Sequence, residues 1–185
     1  MANVIKLRKG LDINLKGIAA KELVSVKEPG IYSLVPDDFT GVKPKVVVKE
    51  GENVLAGGPL FVDKNHPEVK FVSPVSGVVT SVERGERRKV LNIIVKADEN
   101  QQYVEFGKMN LAELNAEQVK EALMNAGLFA FFRQRPFDVV PDPTDAPQAI
   151  FVSAFDSAPL APDFELALKG EEANFQTGLD ALAKI

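Results

Sequence analysis

Up to about Phe106 the chain is cut by Gly and Pro into short β-branched runs, a texture of strands and turns. The clearest strands are Val46-Val47-Val48, Leu60-Phe61-Val62, Gly77-Val78-Val79 and Leu91-Asn92-Ile93-Ile94-Val95. From Leu111 the texture turns helical. Asn115 followed by Gln118 predicts an N-terminal cap with its reciprocal partner. Val119, Ala122, Leu123 and Ala126 form one apolar stripe, and Gly127 is the stop. The segment Pro136 to Pro147 carries four prolines and reads as a loop. Behind it, Ala149-Ile150-Phe151-Val152-Ser153-Ala154-Phe155 suits a fully buried strand of parallel type. A last helix is predicted from Glu171 to Ala183, with Phe175, Leu179 and Leu182 as its apolar repeat. The order is a small β domain, a helix and the opening of an α/β domain. The boundary falls between Phe106 and Asn110, giving units of 1–108 and 109–185.

The β part holds an internal echo. Val48-Lys49-Glu50-Gly51-Glu52 returns 34 residues later as Val82-Glu83-Arg84-Gly85-Glu86. A duplicated strand–turn–strand unit buries its apolar faces against its own copy and closes a small barrel with pseudo-twofold symmetry. Val48 is then expected to overlay Val82, and Gly51 to overlay Gly85. This pattern resembles a barrel-sandwich hybrid, the fold of biotinyl and lipoyl carriers, and Ser73-Pro74-Val75-Ser76-Gly77-Val78-Val79 is similar to the segment after their carrier hairpin. A Greek-key barrel is the alternative.

Charge and composition exclude several classes. The net charge is −4 and no block of one sign dominates, so no nucleic-acid face or acidic tail is expected. Arg84, Arg87, Arg88 and Lys89 stand around Glu83 and Glu86 and read as a charged turn. With no cysteine there is no disulfide, no thiolate catalysis and no cysteine-held iron–sulfur or zinc site, which fits a reducing compartment. The uncharged stretch Ala122 to Phe132 is far too short to span a bilayer. Met1-Ala2-Asn3-Val4-Ile5-Lys6 lacks the apolar core of a signal peptide. The chain reads as cytoplasmic, meeting a membrane only from its surface.

Few residues invite chemistry. Lys64, after Leu60-Phe61-Val62-Asp63, resembles the lysine that bears the prosthetic group of a carrier domain. However, eight residues from Asp63 to Lys70 separate the flanking apolar pairs, which places Lys64 on the shoulder of a wide loop rather than at a tight tip. His66, the only histidine, reads as a solvated side chain beside Pro67 and cannot by itself make a histidine-based metal site. Gly57-Gly58 is followed by Pro59 and a strand, and neither a dinucleotide fingerprint nor a phosphate loop occurs. Asp142, Asp145, Asp156 and Asp163 have oxygen ligands to offer a cation, but acids in proline-rich loops usually make turns. No metal site is expected.

The chemically richest stretch is Leu128-Phe129-Ala130-Phe131-Phe132-Arg133-Gln134-Arg135-Pro136-Phe137. Four phenylalanines and two arginines fall within nine residues. Aromatic faces stack on a flat ring and guanidinium groups donate to its carbonyl oxygens, the two features of a quinone. Phe131, Phe132, Arg133, Arg135 and Phe137 are the quinone-contact candidates. Arg133 and Arg135, two apart, would point the same way in an extended turn at the junction of the two units. The alternative is that the phenylalanines join the cores of the two units and the arginines pair with acids.

Four stretches carry a family resemblance: Ile5-Lys6-Leu7-Arg8-Lys9-Gly10-Leu11-Asp12-Ile13, Leu60 through Gly77, Phe132-Arg133-Gln134-Arg135-Pro136-Phe137, and Ala149 through Asp156. Together they resemble, in order and over essentially the whole chain, the N-terminal part of one component of the bacterial sodium-pumping NADH:quinone oxidoreductase (Na+-NQR), the subunit designated A. The family's subunit is considerably longer, so the chain looks like a piece of it. The resemblance implies an α+β, mixed architecture: a barrel-sandwich hybrid followed by a helix and the start of an α/β, Rossmann-like domain. It implies a peripheral subunit on the cytoplasmic face of the bacterial inner membrane, in a complex that oxidises NADH, reduces ubiquinone and exports sodium. Its partners are the other subunits and ubiquinone. The flavins, the iron–sulfur centre and the NADH site belong to those other subunits, and this chain holds no cofactor of its own. Two further readings stay open: a carrier module swinging a group on Lys64, and an assembly scaffold that touches neither substrate nor cofactor.

Overall fold

The computed structural model describes residues 20–156, 158 and 160–185, together with Lys6, Gly10, Lys16 and Gly17. Apart from Lys6 and Gly10, the stretch Ile5–Ile13 lies outside the described residues.

Seven strands build the β unit: β1 (Ile31–Leu34), β2 (Pro44–Val46), β3 (Asn53–Val54), β4 (Pro59–Asp63), β5 (Lys70–Val72), β6 (Gly77–Arg84) and β7 (Val90–Ala97). They form an antiparallel sheet in the order β1-β7-β6-β3 and a second in the order β2-β4-β5. The two share one core. Phe61 and Phe71 are opposite partners on β4 and β5, and their rings stack with centroids 4.3 Å apart and planes 7° apart. Leu60, Val79, Ile93 and Val95 are buried with them. Burying each phenylalanine contributes on the order of 3 kcal/mol before chain entropy is counted. Strands β6 and β7 approach so closely at Gly77 that a Cβ there would lie 2.0 Å from the Lys96 carbonyl oxygen.

The echoed glycines do not share a setting, and the expected superposition of Gly51 on Gly85 fails. Gly51 lies between strands of different sheets and takes φ +83°. Gly85 lies in the hairpin joining β6 to β7, with φ −92° and ψ −156°. The hairpin reverses through Arg87 (φ 53°) and Arg88 (φ 61°) instead. Crossing between sheets and turning back within one sheet require different backbone paths, whatever the local sequence. Val48 likewise lies outside any strand, whereas Val82 pairs with Ile93 inside β6. The two echoes do touch, since Val82 N–H donates to Glu50 Oε1 at 2.8 Å.

Three α-helices follow: α1 (Ala116–Asn125), α2 (Phe164–Ala167) and α3 (Glu172–Leu182). The start of α1 is the capping box expected of Asn115 and Gln118, each side chain bonding the other's backbone N–H. The helix buries Val119 and ends at Gly127, whose φ of +74° suits glycine. A Cβ at Gly127 would lie 2.7 Å from Val72 Cγ2, so this position also sets how closely α1 approaches β5. Lys70 Nζ donates to Asn125 Oδ1 at 2.7 Å across the same contact.

Ala149–Phe155 departs from the expected buried strand. It takes no regular secondary structure, pairs with no strand among the described residues, and leaves Phe151 96% exposed. A parallel strand is stable only with strands beside it and layers over both faces. Here only one side of the run meets another element: Ile150 and Val152 share a cleft with Leu179 and Leu182 of α3.

Candidate functional site

The aromatic–arginine segment leaves α1 through a 3-10 turn at Phe129–Phe131 and lies over the core. Phe129 and Ala130 are buried, and Phe132 packs against the core with its ring edge-on to Phe129, centroids 5.5 Å apart. Phe131 faces the other way and is 71% exposed. Its ring stands edge-on to Phe39 at 6.4 Å, and Phe39 in turn contacts Phe71 at 4.7 Å. An aromatic series thus runs from the surface into the core.

The two arginines do not act together. The Arg133 guanidinium folds back, donating through Nη1 to the carbonyls of Ala130 (3.0 Å) and Phe132 (3.3 Å) and through Nη2 to that of Asp38 (3.3 Å). Its donors satisfy the end of the 3-10 turn and tie it to the barrel, so the paired-fork expectation fails. Arg135 extends outward, paired with Asp138 at 3.4 Å, a contact whose two side chains are 78% and 56% exposed. Such an exposed pair contributes about 0–1 kcal/mol and leaves the guanidinium available.

Phe137 stands at the end of a narrow loop. Gln134 N–H donates to the Val139 carbonyl at 2.8 Å, and Asp138 N–H to the Gln134 carbonyl at 2.9 Å. Val140 N–H then bonds the Thr40 carbonyl at 3.0 Å, fixing the loop's base to the barrel. Phe137 is 78% exposed. Of the five candidates, Phe131, Arg135 and Phe137 therefore offer a flat apolar surface and a cation to a ligand, while Phe132 and Arg133 hold the segment in place.

The turn Pro36–Phe39 was not singled out from sequence, yet it supplies the ring beside Phe131 and the carbonyl that receives Arg133. Nothing local marks it, because its contacts lie 95 residues away along the chain.

His66 is also placed differently from the sequence expectation. Its Nε2 lies 3.2 Å from Asp142 Oδ2 and its Nδ1 3.6 Å from Glu68 Oε1, with 26% of the side chain exposed. It joins the β4–β5 loop to the proline-rich loop and is not simply solvated. The Asp142 carboxyl titrates below its ordinary range, chiefly because the Thr144 hydroxyl donates to it at 2.6 Å, with the Thr144 N–H adding a second bond at 2.8 Å. Lys120, buried on α1, donates to the Pro143 carbonyl at 3.0 Å and holds the same loop from the other side.

Lys64 occupies the first position after β4, where its N–H donates to the Lys43 carbonyl at 2.8 Å. Of the other loop acids, Asp163 caps α2 and pairs with Lys21 at 2.6 Å, and Asp156 accepts from the Ala158 N–H. Among the described residues no three acid or histidine side chains converge as a metal site would require, and no helix is long and apolar enough to cross a membrane.

Comparison with known proteins matches both parts of the chain. Residues 5–98 match the family model of the NqrA N-terminal barrel-sandwich hybrid domain, and residues 114–185 that of the NqrA second alpha/beta domain. A Pseudomonas aeruginosa (strain UCBPP-PA14) protein, named for Na(+)-translocating NADH-quinone reductase as its subunit designated A, is 36% identical over 185 residues, 98% of this chain and 41% of the relative. Proteins of the same name from Serratia proteamaculans (strain 568) and Hahella chejuensis (strain KCTC 2396) are 38% and 37% identical, with the same coverage of 98% and 41%. The chain spans about two-fifths of the length of these relatives.

Proposed function

The chain belongs to the NqrA family of the Na(+)-translocating NADH-quinone reductase, and from that premise we propose that it is a peripheral, quinone-side part of such a complex. The observation that carries this reading is the match of one chain to both of the family's domains, in order, over residues 5–98 and 114–185. We place the division between them at residues 108 and 109. In this reading the protein sits on the cytoplasmic face of the bacterial inner membrane, and its partners are the other subunits. Flavins, an iron–sulfur centre and NADH are handled by those subunits. In this reading the redox groups lie on those subunits, and this chain, which has no cysteine to ligate an iron–sulfur centre, carries none of them.

The quinone contact is assigned to Phe131, Arg135 and Phe137. Their exposure of 71% or more leaves them free to receive a ligand, and the anchored base of their loop limits the entropy lost on binding. A planar ring stacks on either phenylalanine, and the Arg135 guanidinium donates to a ring carbonyl oxygen. The test is Phe137→Ala with Arg135→Ala in the intact complex, measuring quinone KM and subunit composition together. The expected outcome is a KM raised at least tenfold with normal assembly. Normal KM with normal assembly removes the quinone assignment, and loss of assembly favours the scaffold reading. Arg133 is left unchanged because its hydrogen bonds hold the fold.

A further inference from the structure

The hairpin joining β6 to β7 turns on two arginines that the proposed function does not use. Lys89 N–H donates to the Glu86 carbonyl at 3.1 Å, which makes Arg87 and Arg88 the central residues of the turn. Both are left-handed, with φ of 53° and 61°. That conformation costs free energy at any residue with a Cβ, and a turn with two such centres is one that asparagine and glycine fill most readily. Asp138 and Leu160 are the other non-glycine residues with positive φ among the described residues, and each stands singly. The side chains of the arginine pair do nothing for the fold. Both residues are exposed, and neither guanidinium has a hydrogen-bond or ion-pair partner among the described residues. Their neighbours are engaged. Arg84 Nη1 braces the turn by donating to the Arg88 carbonyl at 3.2 Å, Lys89 pairs with Asp37 at 2.6 Å, and Glu83 Oε2 accepts from Asn92 at 2.7 Å. From Glu83 to Lys89 four bases stand against two acids, a net +2, in a chain whose total is −4.

The tip also stands beside the proposed quinone surface. Lys89 reaches Asp37, the Asp38 carbonyl accepts from Arg133, and the Phe39 ring lies 6.4 Å from the exposed Phe131 ring. The turn Pro36–Phe39 thus links the arginine tip to the aromatic segment. Strain of this kind persists at positions that serve contacts outside the fold. We propose that Arg87 and Arg88 dock this end of the barrel on a bilayer surface, their charges meeting the phosphates of anionic lipid headgroups. The choice of a lipid surface over an acidic protein rests on the membrane-face, quinone-side reading above. An apolar quinone is drawn from the bilayer, so the face that receives it turns toward the headgroups. A convex tip meets a flat charged layer without needing a complementary pocket. Two arginines make a weak contact, one that orients the subunit rather than anchors it.

The test sets binding against stability in this chain. Arg87→Asn with Arg88→Gly supplies the residues that the turn prefers, so the melting temperature should rise. Partition of the same variant onto mixed phosphatidylcholine and phosphatidylglycerol vesicles should fall about 25-fold, about fivefold for each arginine. Arg87→Gln with Arg88→Gln keeps the strained turn and removes only the charge. It should lose the same binding with no change in melting temperature. Binding by the unaltered chain should weaken as salt is raised and should be absent from vesicles of phosphatidylcholine alone. Retained binding in either variant would overturn the proposal, as would failure of the unaltered chain to bind the mixed vesicles. A lowered melting temperature in the Asn–Gly variant would give the arginines a structural role and overturn it too. The two readings fail separately, because vesicle binding is measured without quinone and the quinone KM is measured with Arg87 and Arg88 in place.

Discussion

Gly127 ends α1 at φ +74°, and a Cβ there would meet Val72 Cγ2 at 2.7 Å. Gly127→Ala therefore combines a left-handed backbone penalty of about 1–2 kcal/mol with overpacking of about 1–3 kcal/mol. Urea denaturation is expected to show a loss of about 2–5 kcal/mol by that sum. Gly77→Ala should cost more still, since the obstacle is the Lys96 carbonyl oxygen at 2.0 Å, a backbone atom that cannot rotate away. Asp142 allows a prediction about pH. Its folded pKa is lowered, first by the Thr144 hydroxyl, so its contribution is present above the ordinary value of 3.8 and is lost as pH falls through the folded value. Thr144→Val should move the Asp142 midpoint upward, toward 3.8, in a carboxyl-carbon NMR titration. An unmoved midpoint would mean that the hydroxyl is not its main partner.

Among the elements, α1 has its start written in adjacent residues. Asn115→Ala removes the acceptor of the Gln118 N–H and should cost about 1 kcal/mol, read by thermal or urea unfolding. Where α1 lies depends on distant partners: Asn125 on Lys70 of β5, and Lys120 on the Pro143 carbonyl. The echoed segments show the same division. Each follows a valine and opens a turn. One turn crosses between sheets and the other closes a hairpin, so only Gly51 needs the left-handed conformation.

For the whole molecule, stability rests on the core shared by the two sheets and the segment laid over it. Phe71→Ala, at a ring 1% exposed and stacked on Phe61, should cost about 3–5 kcal/mol and is the single change most apt to unfold the barrel. The purified chain should be colourless, show no added mass on Lys64, and turn over no NADH with quinone. Flavin absorbance surviving dialysis, or a mass increment on Lys64, would reopen the carrier reading.

The strand runs, the capping box at Asn115 and the stop at Gly127 were legible because each is decided by near neighbours in the chain: alternation, side-chain to backbone bonds and glycine's tolerance of positive φ. The aromatic–arginine segment was legible as a composition, since the residue types alone state what they can bind. Its division into Phe131, Arg135 and Phe137 standing free, and Phe132 and Arg133 turned back onto the fold, was not. That outcome depends on Phe39 and the Asp38 carbonyl arriving from far along the chain. His66 followed the same rule, its role set by Asp142 across 76 positions of sequence numbering, a closeness that only folding creates. The apolarity of Ala149–Phe155 suggested a strand, but apolarity carries no partner with it, and the run forms no strand in the structure. Sequence fixes what a segment can pair with, and tertiary structure decides whether the partner is there, because strand pairing and burial are contacts between distant parts of the chain.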